Sequence, residues 1–430
     1  MKKLVIAIVC FQLCFTVGSC QKPQLPQPPP PKPKQPKDDS TKLSIIWSKN
    51  FQPDSVSVYF HDPVFSGDYV VYSNRGDDPV ADVRVFHKLT GELHSAWQHN
   101  RGDLIDRQVI NDYIVGGNNQ NTIFATNELE LYAFDIHTRQ RLWKKNLSPS
   151  YYGLPRISTF GTAVLQNYGP PQALSKSWYR ISAFDAVSGQ ERIITQLNIR
   201  DNYEFLICPP AWTINATGDT LLLFLTTGAN FETKGTLIDA YCYNVTQNKM
   251  EWHQKDLTPE GISSGSYYPP IIIDNNKVIF QGTQSIHCFD IGTGEVVWQY
   301  DRSRIDGFSE TPFLYYKGKL FVRGGWFKRN LSCYDAQTGQ LLWQNTAIDP
   351  VPCPHGRMDA YNDKLYFTAW QGSETGALYC LSIATGEVEW YELPKRGKIV
   401  FGVLIDQQTG YLYCSTAWSV MCVDLNKTPK

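Results

Sequence analysis

A phrase that recurs along the chain constrains its fold more than any other feature. In each copy an apolar couplet, usually followed by Asp, leads into a tight turn and ends on Trp. The four fullest copies are AFDIHTRQRLW (133–143), CFDIGTGEVVW (288–298), CYDAQTGQLLW (333–343) and CLSIATGEVEW (380–390). Neighbouring copies place their closing Trp about 46 residues apart, a spacing typical of one blade in a radial β-sheet array. The repeat therefore predicts a β-propeller rather than a domain with one central core.

Each copy of the phrase predicts a β-hairpin. In the copy at 288–298, Cys288 and Phe289 belong to one strand, Thr293 and Gly294 form the turn, and Val296 begins the return strand. The Asp before the turn can accept hydrogen bonds from turn amides, and the Trp can pack between neighbouring blades. We therefore interpret the following residues as structural: Asp135, Trp143, Asp290, Trp298, Asp335, Trp343 and Trp390.

The number of closing positions predicts the number of blades. Seven of them lie at Trp97, Trp143, near Thr195 in a degenerate copy, and at Trp252, Trp298, Trp343 and Trp390. An eighth hairpin, at 412–415 and 420–425, has no outer strand of its own, whereas LSIIWSKN at 43–50 resembles an outer strand without a sheet. We therefore predict an all-β, eight-bladed propeller of four-stranded antiparallel blades over residues 43–430. The strand at 43–50 would close the ring by pairing with the last blade.

The first residues have the pattern of an export signal. Lys2 and Lys3 precede a short apolar run at 4–17, which is too short to span a membrane, and the run leads to Val17-Gly18-Ser19-Cys20. This pattern resembles the bacterial lipoprotein signal. The resemblance implies that residues 1–19 are removed and that Cys20 carries the lipid. An ordinary secretory signal peptide is the alternative.

The segment that follows Cys20 predicts a tether. Residues 21–42 consist mainly of Pro, Lys and Gln, which cannot form a packed core and favour extended polyproline geometry. Residues 20–42 are therefore expected to form a flexible linker between the membrane anchor and the propeller. A proline-rich ligand for a recognition domain is the alternative for the same segment.

Charge and cysteine usage narrow the possible functions. The formal net charge is −1 and only 19% of the residues are charged, which argues against nucleic-acid binding. Five of the eleven cysteines occupy one slot of the repeat, where Ala133 and Ala183 stand in two other copies, so we predict buried thiols rather than disulfides. These five are Cys242, Cys288, Cys333, Cys380 and Cys422. A disulfide involving Cys208, Cys353 or Cys414 stays open. No CxxC motif or closely spaced His/Cys cluster predicts a metal site.

The pattern AxDxxTGxxxW, which residues 133–143 follow except for Arg139 in place of the Gly, resembles the repeat of the pyrroloquinoline-quinone-type (PQQ-like) propeller superfamily. That superfamily contains dehydrogenases that bind the quinone and propellers without a cofactor. The alcohol dehydrogenase branch implies adjacent cysteines and calcium ligands, and this chain has no Cys-Cys pair. Another branch uses a His base, and His61 and His355 lie near predicted inner-strand starts. A PQQ-dependent dehydrogenase is therefore the third hypothesis for the function.

A propeller of this length on a lipidated Cys also resembles the BamB family, the lipoproteins of the outer-membrane β-barrel assembly machinery. This resemblance implies a non-enzymatic scaffold in the bacterial cell envelope, at the outer membrane, with no cofactor. Its partners would be envelope proteins such as the barrel-assembly machinery. The resemblance supplies no interface residues for this chain.

Repeat geometry predicts where a partner would bind. If the Thr-Gly turns lie on one face, the loops between middle strands and between consecutive blades lie on the other. Aromatic and Arg side chains in these loops are typical of interaction hot spots. The candidate binding face comprises Trp178, Arg323, Trp326, His355, Arg357, Trp370 and Trp418. Any one Trp could instead pack within its own blade. The same residues could also bind a glycan, so a carbohydrate-binding surface lipoprotein is the second hypothesis for the function.

Overall fold

The structure, a computed structural model, describes the following residues: 43–50, 59–60, 62–75, 80–100, 113–116, 121–126, 130–146, 156–160, 163–168, 178–198, 203–230, 235–257, 268–282, 285–301, 312–324, 330–346, 348, 356–371, 375–392, 402–416 and 419–427. Regular structure in these ranges consists of 34 β-strands without a helix. The same part of the chain accordingly has no helix that could cross a membrane.

The strands form antiparallel sheets, numbered here in chain order. Sheet 1 contains β2 (Tyr59–Phe60), β3 (Val64–Ser66), β4 (Tyr69–Arg75), β5 (Val80–His87) and β6 (Leu93–Asn100). Sheet 2 contains β7 (Tyr113–Gly116), β8 (Thr122–Thr126), β9 (Glu130–Asp135) and β10 (Gln140–Asn146). Sheet 3 contains β11 (Arg156–Phe160), β12 (Ala163–Tyr168), β13 (Trp178–Asp185) and β14 (Glu191–Asn198). Sheet 4 contains β15 (Tyr203–Ile207), β16 (Ala211–Ile214), β17 (Thr220–Asn230), β18 (Gly235–Asn244) and β19 (Lys249–Gln254).

The second half of the chain continues the pattern. Sheet 5 contains β20 (Ile271–Ile273), β21 (Lys277–Gln281), β22 (Ser285–Asp290) and β23 (Val296–Asp301). Sheet 6 contains β24 (Leu314–Tyr316), β25 (Lys319–Arg323), β26 (Leu331–Asp335) and β27 (Leu341–Asn345). Sheet 7 contains β28 (Asp359–Tyr361), β29 (Lys364–Gln371), β30 (Thr375–Ser382) and β31 (Val388–Glu392). Sheet 8 contains β32 (Leu404–Asp406), β33 (Tyr411–Ser415), β34 (Ser419–Asp424) and β1 (Ile45–Asn50).

This arrangement confirms the predicted all-β fold of four-stranded antiparallel sheets typical of a propeller. Sheets 1 and 4 differ from the expectation because each has a fifth strand. In sheet 4, β15 and β16 both pair with the long strand β17, whose eleven residues can accommodate two short partners in succession.

The outer strand of every described sheet contains a β-bulge. In β23, for example, Trp298 pairs with Cys288 while Val296 pairs with Phe289, so one residue between them has no partner of its own. The repeat Trp directly follows the bulge, and the extra residue alters the direction in which the strand presents its side chains. The bulge is thus the local feature that fixes the orientation of the Trp.

Sheets 1 and 3 carry other residues directly after the bulge. In β14 this residue is Thr195, the predicted closing position, and the bulged Ile194 packs against sheet 4. In β6 it is Ser95, paired with Val85, whereas Trp97 pairs with Val83 two positions further on. The interpretation of Trp97 as the closing residue was therefore wrong by two positions, because a Trp near the expected spacing masked the degenerate repeat.

The N-terminal strand lies beside the C-terminal one. β1 pairs antiparallel with β34, and Trp47 pairs with Cys422 directly after the bulge. The Trp47 Nε1–H donates a hydrogen bond to Lys88 O in sheet 1 at 2.8 Å. The strand predicted at 43–50 therefore supplies the outer strand of sheet 8 and contacts sheet 1.

The apolar core is divided among the contacts between consecutive sheets. One cluster joins Tyr366 and Leu378 of sheet 7 to Leu412 and Val423 of sheet 8. Another joins Ile279 of sheet 5 to Leu320 and other residues of sheet 6. Since each sheet buries its two faces against its neighbours, its middle strands are nearly continuous apolar runs.

The five cysteines of the repeat slot are free and buried, as predicted. Each lies on the third strand of its sheet, for instance Cys288 opposite Trp298. Burial raises the pKa of the Cys242, Cys288, Cys380 and Cys422 thiols to about 12. Cys208 and Cys414 are also free, and Cys353 lies outside the described residues.

Candidate binding face

The two turns of a sheet lie at the same end. In sheet 6 the amide of Ala336, in the turn between the third and fourth strands, donates to Gly318 O in the turn between the first and second. Sheet 5 repeats this contact between Ile291 and Asn276, and sheet 7 between Ile383 and Asp363. We call this side the turn end. Because the strands are antiparallel, the loops between middle strands and the starts of inner strands lie opposite, at the loop end.

At the turn end, the Asp of the repeat organises its own turn. Asp135 Oδ1 accepts a hydrogen bond from the Thr138 amide at 2.7 Å, and Asp290 Oδ1 accepts one from the Thr293 amide at 2.8 Å. Asp335 Oδ1 accepts bonds from both the amide and the hydroxyl of Thr338. Hydrogen bonding by Thr338 holds the pKa of Asp335 below its usual value. These carboxylates therefore have a structural role that requires no chemistry.

The repeat Trp joins the turn ends of consecutive sheets. Trp143 Nε1–H donates to Ala186 O at 3.0 Å, and Trp298 donates to Ala336 O at 3.1 Å. The indole also lies on the turn Gly of the next sheet: a Cβ at Gly339 would be 2.6 Å from Trp298 Cδ2. Gly339 also has a φ of +71°, so both the backbone of the turn and the Trp298 ring require Gly at this position. Trp343 repeats the hydrogen bond with Ile383 O, whereas Trp390 packs in the core between sheets 7 and 8.

The predicted binding residues that the structure describes all lie at the loop end. Trp178 is the first residue of β13, Trp370 is next to the last residue of β29, and Arg323 ends β25. Arg357 precedes β28, the inner strand of sheet 7. Trp326, His355 and Trp418 lie outside the described residues, and the side chains of Trp178 and Trp370 are likewise not described.

Arg323, a member of the predicted binding face, is buried. Only 2% of its surface is exposed, and its guanidinium carbon lies 4.8 Å from the centre of the Phe367 ring in sheet 7. Gln281 has the corresponding place in sheet 5, and its side-chain oxygen accepts a hydrogen bond from the Phe313 amide at the start of sheet 6. Side chains in this slot therefore connect neighbouring sheets, and a partner would not contact Arg323 directly.

Arg357 belongs to a contact among three sheets that sequence reasoning missed. Asp62, just before β3, accepts hydrogen bonds from the Gly402 amide at 2.7 Å and from the Arg357 amide at 3.1 Å. These residues come from sheets 1, 8 and 7, and each lies two residues before an inner strand. The Arg357 Nε–H also donates to Val403 O at 3.3 Å. We call Asp62, Arg357 and Gly402 the inner clasp.

Two arginines of the predicted binding face, Arg323 and Arg357, both act on the charge of Asp62 in the inner clasp. Burial raises the pKa of Asp62, while the charges of Arg357 and Arg323 and the two amide hydrogen bonds oppose the shift. Asp359 is a second carboxylate in the same surroundings. Burial raises the pKa of Asp359 overall, although the charge of Arg357 opposes the shift. The Asp359 carboxylate also accepts a hydrogen bond from the Ile405 amide of sheet 8 at 2.7 Å.

No sequence signal identifies Asp62 or Asp359. The residues two positions before the inner strands of sheets 1, 6, 7 and 8 are Asp62, Pro312, Arg357 and Gly402, so this slot does not repeat. The surroundings of these side chains depend on sheets far apart in sequence. In the described part of the chain, no group of three or more His, Cys, Asp or Glu residues is arranged to hold a metal ion.

Comparison with known proteins gives one family. The family model described as outer membrane protein assembly factor BamB matches residues 179–346 and 327–409. No curated protein is recognisably similar in sequence.

Several solved structures share the fold. BamB from Moraxella catarrhalis aligns with a TM-score of 0.59 at 14% identity, covering 89% of this chain and 100% of that one. Quinohemoprotein alcohol dehydrogenase from Comamonas testosteroni aligns at 0.61 and 13% identity, covering 90% and 77%. A europium-containing methanol dehydrogenase aligns at 0.59 and 13% identity, covering 87% and 84%. At these identities the similarity establishes the propeller fold, which scaffolds and dehydrogenases share.

Proposed function

Because the chain belongs to the family described as outer membrane protein assembly factor BamB, we propose that it is a non-enzymatic, lipid-anchored scaffold of the bacterial cell envelope. The family match over residues 179–409 is the observation that carries this proposal. The role would be to hold envelope proteins, including components of a barrel-assembly machinery, through a surface of the propeller.

The scaffold is an eight-bladed ring in this proposal. The pairing of β1 with β34 and the contact of Trp47 with sheet 1 support closure of the ring between sheets 8 and 1. Closure in this manner leaves no sheet face exposed between the first and last blades. A rigid ring is a suitable scaffold because its loops can differ in sequence while the sheets that position them stay fixed.

The anchor in this proposal is Cys20, after removal of residues 1–19. Residues 20–42 would then connect the lipid to β1, and the ring would lie at the outer membrane. Acylation at several positions of one residue gives the durable attachment that a single chain cannot provide. Mass spectrometry of the mature N-terminus tests this part, and an unmodified Cys20 would refute it.

The partner would contact the loop end. The loops there extend from strands whose ends are fixed by contacts between sheets, as at Arg323 and Arg357. Trp178, Trp326, Trp370 and Trp418 are the tryptophans that the repeat geometry predicts at this end, and large aromatic side chains contribute a large share of binding energy at interfaces. His355 and Arg357 complete the proposed face, with Arg357 held by the inner clasp.

An affinity pull-down from solubilised envelopes tests the scaffold. We expect the mature chain to retain an envelope protein and the Trp326→Ala, Trp370→Ala variant to lose it. The matched control is Val296→Ala, Val297→Ala, which removes two exposed apolar side chains from the outer strand of sheet 5. Retention by the control and loss by the Trp variant would locate the interface at the loop end.

Two other outcomes would redirect the proposal. Failure of the folded wild-type chain to enrich any protein would contradict the scaffold, and retention of a polysaccharide would then favour the glycan reading. Reduction of a dye by the chain after addition of calcium and quinone would contradict the non-enzymatic role.

A further inference from the structure

The chain enters the propeller at its outer rim. β1 is the outermost strand of sheet 8 and begins at the turn end, where the Asp424 amide donates a hydrogen bond to Ser44 O, so the segment before Leu43 joins the molecule at the turn-end edge of the rim. This strand also exposes apolar surface, since 51% of Ile45 is accessible. Any tether in residues 20–42 therefore pulls on this part of the rim.

The outer rims of sheets 1 and 2 lie next to the outer rim of sheet 8, in that order. Trp47 of sheet 8 contacts Lys88 of sheet 1, and His94 Nε2 of sheet 1 lies 2.8 Å from Ile136 O of sheet 2. Both rims also expose a Leu: 53% of Leu93 and 37% of Leu142 are accessible. Sheets 8, 1 and 2 thus form one arc of rim that includes the point of chain entry.

The outer strand of sheet 2 and the turn residue before it are strongly basic. Residues 139–146 read RQRLWKKN, with four cations and no acid. Arg139, Arg141 and Lys144 are exposed, and Lys145 is partly exposed. The outer strand of sheet 7 has the opposite charge, because residues 387–392 read EVEWYE. We call Arg139, Arg141, Leu142, Lys144 and Lys145 the basic rim.

Protection of a strand edge does not account for this charge. Charged side chains on an edge strand discourage pairing with other chains. The outer strand β27 has the same place in sheet 6, yet it reads LLWQN and exposes Leu341 and Leu342 without any charge. The same architecture therefore tolerates an uncharged edge, and the four cations of sheet 2 require another explanation.

We propose that the basic rim docks on an anionic phospholipid surface and lays the propeller with the sheet 8, 1 and 2 arc against the membrane. Basic side chains around exposed apolar ones are the composition that binds membrane interfaces, where cations meet phosphate and apolar groups enter the headgroup region. The sequence before Leu43 contains five further cations that would add to this attraction: Lys22, Lys32, Lys34, Lys37 and Lys42.

This inference deepens the proposed function. It rests on the proposed lipid anchor only for the orientation of the propeller at the membrane. An anchored chain is already concentrated at the lipid, so even a weak contact of the rim would be occupied most of the time. Docking by the rim would leave the loop end and the turn end both facing away from the lipid, and the loop end would stay free for a protein partner.

Cosedimentation with vesicles tests the docking without the lipid on Cys20. The protein is residues 21–430, which lacks Cys20 and therefore the lipid but contains every strand of the eight described sheets. We expect it to bind phosphatidylcholine vesicles that contain roughly one third phosphatidylglycerol, to bind pure phosphatidylcholine weakly, and to dissociate at high salt.

Charge reversal locates the contact. Each cation near an anionic surface contributes about fivefold in partitioning, so Arg141→Glu, Lys144→Glu lowers binding at least on the order of 30-fold. The matched control is Lys249→Glu, Lys255→Glu, which makes the same change of net charge at exposed positions of the sheet 4 rim. We expect the control to lose binding several-fold less than the test variant. Thermal unfolding of both variants checks that they fold.

Three results would overturn the proposal: no binding of the wild-type chain to anionic vesicles, equal binding to both kinds of vesicle, or equal loss in the two variants. Loss of an envelope protein in a pull-down with unchanged vesicle binding would make the basic rim a protein interface instead. These results are independent of the anchor, because an unmodified Cys20 would refute the anchor and leave the vesicle binding in place.

Discussion

The turn end and the loop end of the propeller are built on different principles. At the turn end one contact recurs, in which the Trp of one sheet lies on the turn Gly of the next, as with Trp143 on Gly189 and Trp298 on Gly339. At the loop end each contact between sheets is made by different residues, such as Gln281 with Phe313 and Asp62 with Gly402. The comparison teaches that the contacts between sheets repeat at one end and vary at the other, so the residues of the loop end can diverge without altering the recurring Trp-Gly contact.

The largest expected effect breaks the recurring contact of the turn end. Gly339→Ala places a Cβ against Trp298 at a residue with positive φ, so both the backbone and the indole must shift. We expect a loss of roughly 3 kcal/mol or more in the free energy of unfolding, measured by urea denaturation.

A Gly in the same sheet provides the control. Gly318 has φ of +77° but no atom within 4 Å of its Cβ position, so Gly318→Ala isolates the backbone cost. We expect that variant to lose only about 1 kcal/mol. Equal losses would show that the Trp-Gly contact contributes little.

The inner clasp provides the corresponding test at the loop end. Asp62→Ala leaves the Gly402 and Arg357 amides without their acceptor, and we expect a loss of about 2 kcal/mol in the free energy of unfolding. Because the pKa of Asp62 is raised in the folded chain, its contribution to stability decreases as the pH rises through that raised value. Asp62→Asn should lack this pH dependence. The same dependence in the Asn variant would contradict the assignment to Asp62.

A smaller effect is expected at the Asp of the repeat. Asp335→Ala removes the acceptor of the Thr338 hydrogen bonds and should cost about 1 kcal/mol at neutral pH. The pKa of Asp335 is lowered in the folded chain, so the carboxylate stabilises the fold above its unfolded pKa and the contribution is lost on acidification through the lowered value. Urea denaturation of both proteins across this acid range should show the difference disappearing. A difference that is independent of pH would contradict the prediction.

The smallest effect is expected in the cysteine slot. Cys288→Ala should cost no more than about 1 kcal/mol, because Ala133 and Ala183 fill the corresponding positions of sheets 2 and 3. With a pKa of about 12, the Cys288 thiol should also stay unreactive toward a thiol reagent at pH 8 until the chain unfolds. Rapid reaction of all buried thiols in the native chain would contradict this prediction.

The sequence predicts the two ends of the sheets unequally. Turn-end features such as Gly339, Asp335 and the pairing of 43–50 with the last blade follow from local pattern and repeat spacing, and each agrees with the structure. Trp97 was misplaced because its own repeat is degenerate. At the loop end, Arg323 was predicted to belong to the candidate binding face but is buried, and no sequence pattern identifies Asp62. Their surroundings depend on contacts between sheets, which a single repeat does not encode.

The pairing of β1 with β34 also has a consequence for the order of synthesis. The strand Ile45–Asn50 has its neighbour at Ser419–Asp424 and cannot form these hydrogen bonds until the ribosome has synthesised all the residues between them. Until then Trp47 lacks its pairing partner Cys422, and β1 has no neighbouring strand. A chain interrupted during translation thus cannot complete sheet 8, and its exposed edge would mark it for proteases or chaperones. The emergence of β34 is therefore the step that allows sheet 8 to form.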